Sequence, residues 1–175
     1  SGFDISAIIW LEKAEKAFES EVNSSSKIDT YRFLSLAWSA KLNYKESLRY
    51  AEKLVTSSEK SQFKYKHRQA LFETADIFSV VGSKQKAFAT LEKGLKLSIA
   101  NNNFYQACKF LDSLVLNSLF SNEVSKATDY LELMAKYDPN HQFLPEYTLG
   151  KAIISAYQNQ PQESEKLFAQ LDKME

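Results

Sequence analysis

The sequence predicts an all-α protein built as an array of stacked helix pairs, with about nine helices. Three observations carry that prediction. A stripe of small and apolar residues with i, i+4, i+7 spacing recurs at a fixed distance along the chain. A second apolar stripe precedes the copies. Helix breakers are scarce, with 4 Gly and 3 Pro in 175 residues, which favours helices joined by short turns.

The recurring stripe opens on Ala7, Ser47, Ala87 and Ala127, each forty residues after the last. Four places on stand Leu11, Ala51, Leu91 and Leu131, and seven places on stand Ala14, Leu54, Gly94 and Met134. A fifth copy, Ser164, Phe168 and Leu171, follows after a step of 37. This spacing is one face of an α-helix. The small residues mark where two helices of a pair cross, because backbones approach closely only where one side has almost no side chain. The preceding helices show Tyr31, Leu34 and Trp38, then Leu71, Ala75 and Phe78, then Leu111, Leu114 and Val115. The expected helices are 4–21, 28–41, 44–58, 63–81, 84–100, 103–120, 123–137, 144–159 and 161–174. Turns are expected at Asn23-Ser24-Ser25-Ser26, Asn101-Asn102-Asn103 and Asp138-Pro139-Asn140, where Pro cannot continue a helix and Asn tolerates turn conformations.

These features resemble the tetratricopeptide repeat (TPR) family over nearly the whole chain. In the stretch SKATDYLELMAKYDPN (125–140), Ala127, Leu131, Met134 and Pro139 match the second helix and closing Pro of that repeat. Tyr31, Leu34, Ser35 and Trp38 sit where the first helix has Trp, Leu, Gly and Tyr. The resemblance implies a right-handed superhelical α-α solenoid of TPR-like helix pairs. The chain departs from the family in its forty-residue period, against about 34, and in Val115 at the small Gly place. HEAT or armadillo repeats, with periods of about 40–47, are the alternative. Ser1-Gly2 with no Met reads as a cleavage scar. Residues 3–175 then form one repeat domain, expected to be a fragment of a longer protein. It comprises the second helix of a truncated unit (3–22) and units at about 27–61, 62–101, 102–140 and 141–175.

Composition limits the function. Hydrophobic residues make up 44% and charged residues 25%, as in folded soluble proteins. Lys plus Arg and Asp plus Glu both number 22, so the net charge is zero. That argues against a nucleic-acid or anionic-membrane surface, which needs a basic face. The longest wholly apolar run, Ala7 to Leu11, is far short of a bilayer span. The single cysteine, Cys108, excludes an intrachain disulfide and leaves cytoplasm and periplasm both open, the cytoplasm favoured. Cys108 is expected to be half-buried and inert, although it lies near a helix start where a thiolate could be stabilised. His67 and His141 have no ligand-type neighbours at metal spacing and are expected to be surface residues, so no metal or cofactor is implied. The basic cluster KYKHR (64–68) is expected to be solvated, and Glu12 with Lys16 and Glu92 with Lys96 read as outer-face pairs. No catalytic grouping can be assembled, so an enzyme is not expected.

The function implied by the resemblance is a protein-protein interaction module that binds a peptide or partner protein in a concave groove lined by the first helices. The groove places fall on Arg32, Leu36, Gln69, Phe72, Asp76, Lys109, Asp112 and Leu116. Leu36 stands where the subtype that grips chaperone C-terminal carboxylates needs its Asn, so the chain departs from that subtype. The alternative is a sensory or regulatory segment of a larger bacterial signalling protein, a transcription regulator or sensor kinase, with its output domain outside this sequence. Ile5 and Ile9 lie about 160° and 200° around the first helix from Ala7, at about 100° per residue. The corresponding places in the other copies are mainly polar (Lys45 and Arg49, for example), so Ile5 and Ile9, with Ile8 and Trp10, suggest an end-face contact. An upstream segment is the favoured partner for that face, and self-association through the N-terminal helix is the second option.

Overall fold

Polar caps and left-handed turns set where the helices begin and end. The structure, a computed structural model, describes residues 5–21, 24–138 and 140–174, with Ile5 described by its backbone alone. Among them are nine helices: α1 (Ile5–Ala17), α2 (Ser25–Ala40), α3 (Tyr44–Glu59), α4 (Lys64–Val80), α5 (Lys84–Ala100), α6 (Phe104–Phe120), α7 (Val124–Tyr137), α8 (Leu144–Tyr157) and α9 (Pro161–Leu171). Ser24, Asn43 and Asn103 cap α2, α3 and α6, each side-chain oxygen accepting a first-turn backbone N–H. Pro at the first turns of α8 and α9 removes a donor that would have no partner there.

One turn recurs at five junctions. Leu42, Gly82, Asn102, Asn122 and Asn159 all have φ between 53° and 76°. The next residue in each case donates its N–H back into the finished helix, as Ser83 does to Phe78 at 2.8 Å and Glu123 to Ser118 at 2.8 Å. This is the left-handed helix stop that Gly and Asn favour. Leu42 occupies it without either advantage.

The chain divides into two compact units, Ser1–Thr90 and Leu91–Glu175. In the first, α2 packs on α1 and α3, and α4 packs on α3 and lies beside α2. Ile8, Ile28, Tyr31, Leu34, Tyr50 and Leu54 form its core, with Leu11 and Trp38 against it. Each large apolar side chain buried this way contributes about 1.5–3 kcal/mol. Ser35 and Ser47 meet where α2 crosses α3 and donate hydroxyl bonds to each other's carbonyl, at 3.0 and 2.9 Å. In the second unit α7 packs on α6 and α8, and α9 packs on α8. Phe110, Leu111, Leu114, Leu131 and Met134 are buried there. Gly94 permits a close approach, since a Cβ on it would fall 2.2 Å from the Phe110 ring.

The small register residues Ser47, Ala87, Ala127 and Ser164 are all buried. Several local expectations need correction. Helix α1 stops at Ala17 rather than 21. Ser25 and Ser26 are helical because Ser24 supplies the cap; Asn23 and Pro139, in the expected turns, lie outside the described residues. In α9 the buried apolar residue is Leu167, while Phe168 is 43% exposed. Ile8 is a core residue rather than part of the end face.

Candidate functional site

On α4, residues 69, 72, 73 and 76 follow helical i, i+3, i+4, i+7 spacing and so share one face. Helix α2 adds Arg32, whose Nε donates to Glu73 Oε1 at 2.7 Å. Gln69 Nε2 donates to the same oxygen at 3.1 Å. The other Glu73 oxygen is buried without a hydrogen-bond partner. One turn on, Asp76 touches solvent, yet the protein mass around it, with the charge of Glu73, pushes its carboxyl up to about 6. Leu36 and Phe72 are half-buried, and Phe33 is exposed with the Arg32 guanidinium 5.5 Å from its ring centre. Arg32, Gln69 and Asp76 thus meet around Glu73, which sequence reasoning passed over.

In the second unit, Lys109, Asp112 and Leu116 occupy i, i+3, i+7 places on α6. Burial, followed by the charge of Glu146 on α8, pushes the Asp112 carboxyl up to about 6. Glu146 Oε2 is buried without a hydrogen-bond partner. Lys109 is exposed, with its ammonium 5.2 Å over the Tyr105 ring. Leu116 is half-buried. Glu146 was also passed over, although it lies at the Lys109 place one 37-residue step later.

A second polar arrangement joins the second helices. Tyr50 donates to Glu15 at 2.9 Å, and Lys53 pairs with the same carboxylate. Tyr130 donates to Glu92 at 2.9 Å, so Glu92 has a cross-helix partner as well as its place on the outer face. Burial and the glutamates push both phenols up to about 12. Burial opposes the charge on Glu15, but the Lys53 and Tyr50 hydrogen bonds outweigh it and hold the carboxyl below its ordinary value. The signal was available: Tyr50 and Tyr130 both stand three places after the small register residue.

The remaining candidates change character in the fold. His67 is buried, with Nδ1 3.1 Å from the Ser58 hydroxyl, because the start of α4 packs on the end of α3. His141 is exposed at φ 53°. The basic cluster is not wholly solvated: Lys66 is 7% exposed, and its ammonium binds Ser25 at 2.7 Å and Asp29 at 2.5 Å. Cys108 is buried outright rather than half-buried. Burial, then the charge of Asp138, pushes its thiol up to about 11, so it stays protonated and unreactive at neutral pH. At the N-terminal end face, Ile9 and Trp10 are exposed, and Lys13 lies 4.3 Å over the Trp10 ring; the Ile5 side chain lies outside the described residues. Among the described residues no His, Cys, Asp and Glu cluster could hold a metal, and no helix is long and apolar enough to cross a membrane.

No family profile and no curated protein match this sequence. Its fold is similar to that of solved repeat proteins. A kinesin-light-chain-like protein of Podosopora anserina with nearly identical TPR-like repeats superposes with a TM-score of 0.79 at 18% identity, covering 96% of this chain and 84% of that one. The apo form of RapI gives 0.82 at 17% identity, covering 95% of this chain and 62% of RapI. A Rap protein complexed with competence and sporulation factor gives 0.74 at 12% identity, covering 95% of this chain and 47% of that protein. The fold is that of TPR-like helical repeats, and the chain spans less than two thirds of the Rap proteins' length.

Proposed function

We propose that this chain is a protein-interaction module that binds a peptide or partner protein on the exposed faces of its first helices. The observation that carries the reading is the makeup of those faces. In each unit an incompletely compensated carboxyl pair, Asp76 with Glu73 or Asp112 with Glu146, lies among half-buried apolar residues. Such surfaces suit an extended segment with alternating polar and apolar side chains. Arg32, Leu36, Gln69, Phe72 and Asp76 serve the first unit, and Lys109, Asp112 and Leu116 the second. Phe72 is the anchor, since a central aromatic commonly dominates an interface.

A peptide selected on the wild-type chain from a displayed library tests this directly. Phe72→Ala is expected to weaken binding about tenfold or more, and the outer-face change Lys45→Ala to leave it alone. An affinity sensitive to Lys45 and indifferent to Phe72 and Asp112 would overturn the reading.

The likeness to a Rap protein holding a factor favours a second reading. There the repeat domain over 3–175 is the sensory or regulatory segment of a larger bacterial signalling protein, and its output domain lies outside this sequence. In the full-length protein, the selected peptide would then change the activity of that output domain. Binding without any change in output would reject the second reading and leave the first intact.

A further inference from the structure

One edge of the first unit gathers lysines and exposed aliphatic side chains. Helices α2 and α4 run side by side in the same direction, tied by partners 37 and 41 residues apart. Lys66 near the start of α4 pairs with Asp29 at 2.5 Å, and farther along both helices Glu73 pairs with Arg32 at 2.7 Å. Packed helices lie about 8–10 Å apart, so the C-terminal ends of α2 and α4 stand next to each other, with the turns that follow them. Leu42 in the first turn and Val80 at the end of α4 are 72% and 61% exposed. Lys41, Lys45, Lys84 and Lys86 at the same edge are exposed too.

The positive charge there is not neutralised. Among the described residues, Lys41, Lys45 and Lys84 take part in no ion pair, and the Lys86 ammonium lies 5.4 Å over the Phe78 ring. Of the nearby carboxylates, Glu46 is held by Arg49 at 2.7 Å, and Asp76 lies one turn back along α4 on the first-helix face. The corresponding edge of the second unit differs. It exposes Phe120 and Tyr157, but Lys126 pairs with Glu123 there and Lys166 with Glu163. The second edge is apolar and self-neutralised; the first is apolar and basic.

Leu42 brings its turn no structural advantage. Gly or Asn fills the same left-handed place at the other four junctions, whereas Leu42 at φ 58° is strained and its exposed side chain gains little burial in return. A backbone outlier retained with an exposed apolar side chain is a cost that function explains. Charge complementarity calls for an anionic occupant. Leu42 and Val80 offer a base no ring to stack on, and a lysine ammonium lacks the planar fork with which arginine grips phosphate. Four lysines beside two aliphatic side chains give a bilayer only a weak, reversible hold. A protein segment can both pair the ammonium groups and bury the aliphatic tips. We propose that this edge docks an acidic segment of a partner protein, with aliphatic side chains set among its carboxylates. The edge is separate from the first-helix faces and does not depend on their being a binding surface.

The test is an NMR titration of the whole chain with the acetylated, amidated peptide EELEEL and its neutral counterpart QQLQQL. EELEEL is expected to give saturable shifts at the backbone amides of Lys41, Leu42 and Lys84, with QQLQQL at least about fivefold weaker. Lys41→Gln combined with Lys84→Gln should weaken EELEEL about fivefold or more. Leu42→Gly should weaken it about two- to fivefold while raising the melting midpoint, a combination that loss of folding cannot produce. Equal binding of the two peptides, no saturation, shifts centred on Phe72 or on Phe120, or indifference to both variants would each overturn the proposal. Binding to vesicles of phosphatidylserine and phosphatidylcholine without any binding of EELEEL would overturn it as well, because the edge would then serve a lipid surface.

Discussion

Where α2 crosses α3 in the first unit, two buried serines exchange hydroxyl–carbonyl bonds. Where α6 and α7 meet in the second unit, the same places hold Val115 and Ala127, both buried and without a hydroxyl. At α8 and α9 half of the polar pair returns, with the Ser164 hydroxyl donating to the Ala152 carbonyl at 2.9 Å. The register therefore demands small size on the second helix and is indifferent to polarity. A hydroxyl is tolerated because the facing carbonyl satisfies it, for a net gain of about 0.5–1.5 kcal/mol. The turns differ in the same way: the first unit ends α2 on Leu42 in the left-handed region, and the second ends α6 and α8 on Asn122 and Asn159.

The largest expected effect asks whether both units rely on the register for their cores. Leu54→Ala in the first and Leu131→Ala in the second should each cost about 2–5 kcal/mol in chemical denaturation. A marginal loss in one unit would mean that its stripe is not core. Next is the close approach at Gly94. Gly94→Ala should destabilise by about 1–3 kcal/mol through overpacking against the buried Phe110, although Ala ordinarily favours a helix over Gly by about 1 kcal/mol. Gly150→Ala is the contrast, since its Cβ would meet the flexible ends of Leu131 and Val115 at 3.0 and 3.3 Å. It should stay within about 1 kcal/mol of wild type. A smaller effect separates the turns. Leu42→Gly should stabilise by about 1 kcal/mol, because Leu42 at φ 58° has a Cβ clash that Gly lacks. A lower melting midpoint in that variant would contradict the turn assignment.

The pH dependence compares one carboxyl from each unit. Asp76 and Asp112 both titrate near 6 when folded, against an unfolded value of about 3.9. The folded state binds more protons in between, so stability is fullest below about pH 4 and falls as pH rises through about 6. Glu15 runs the other way: its lowered folded value gives stability that is lost on acidification. Melting midpoints between pH 4 and 7 should fall as pH rises, and Asp76→Asn or Asp112→Asn should each flatten part of that fall. An unchanged slope in either variant would show that its carboxyl is not crowded as described.

Helix spans and crossing residues were legible because they rest on local periodicity, and α5 runs over Lys84–Ala100 as the spacing alone predicted. The environments of Lys66 and His67 were not legible. Lys66 is buried against Asp29, 37 residues away, and His67 meets Ser58 across a helix pair. A run of basic residues reads as solvated until the fold supplies such partners. Glu73 and Glu146 were missed for a related reason: their neighbours Arg32 and Asp112 lie on other helices. In α9, Leu167 in place of Phe168 turns on a single residue of helical phase, less than periodicity can resolve.

The most direct test of the account compares two alanines two residues apart on α5. Ala87 is a register residue, 0% exposed, and Ala89 is exposed. If the forty-residue period marks the helix crossings, Ala87→Leu lowers stability by about 1–3 kcal/mol in chemical denaturation, while Ala89→Leu stays within about 0.5 kcal/mol of wild type. Equal effects from the two, or an Ala87→Leu variant as stable as the parent, would show that the period does not place the crossings.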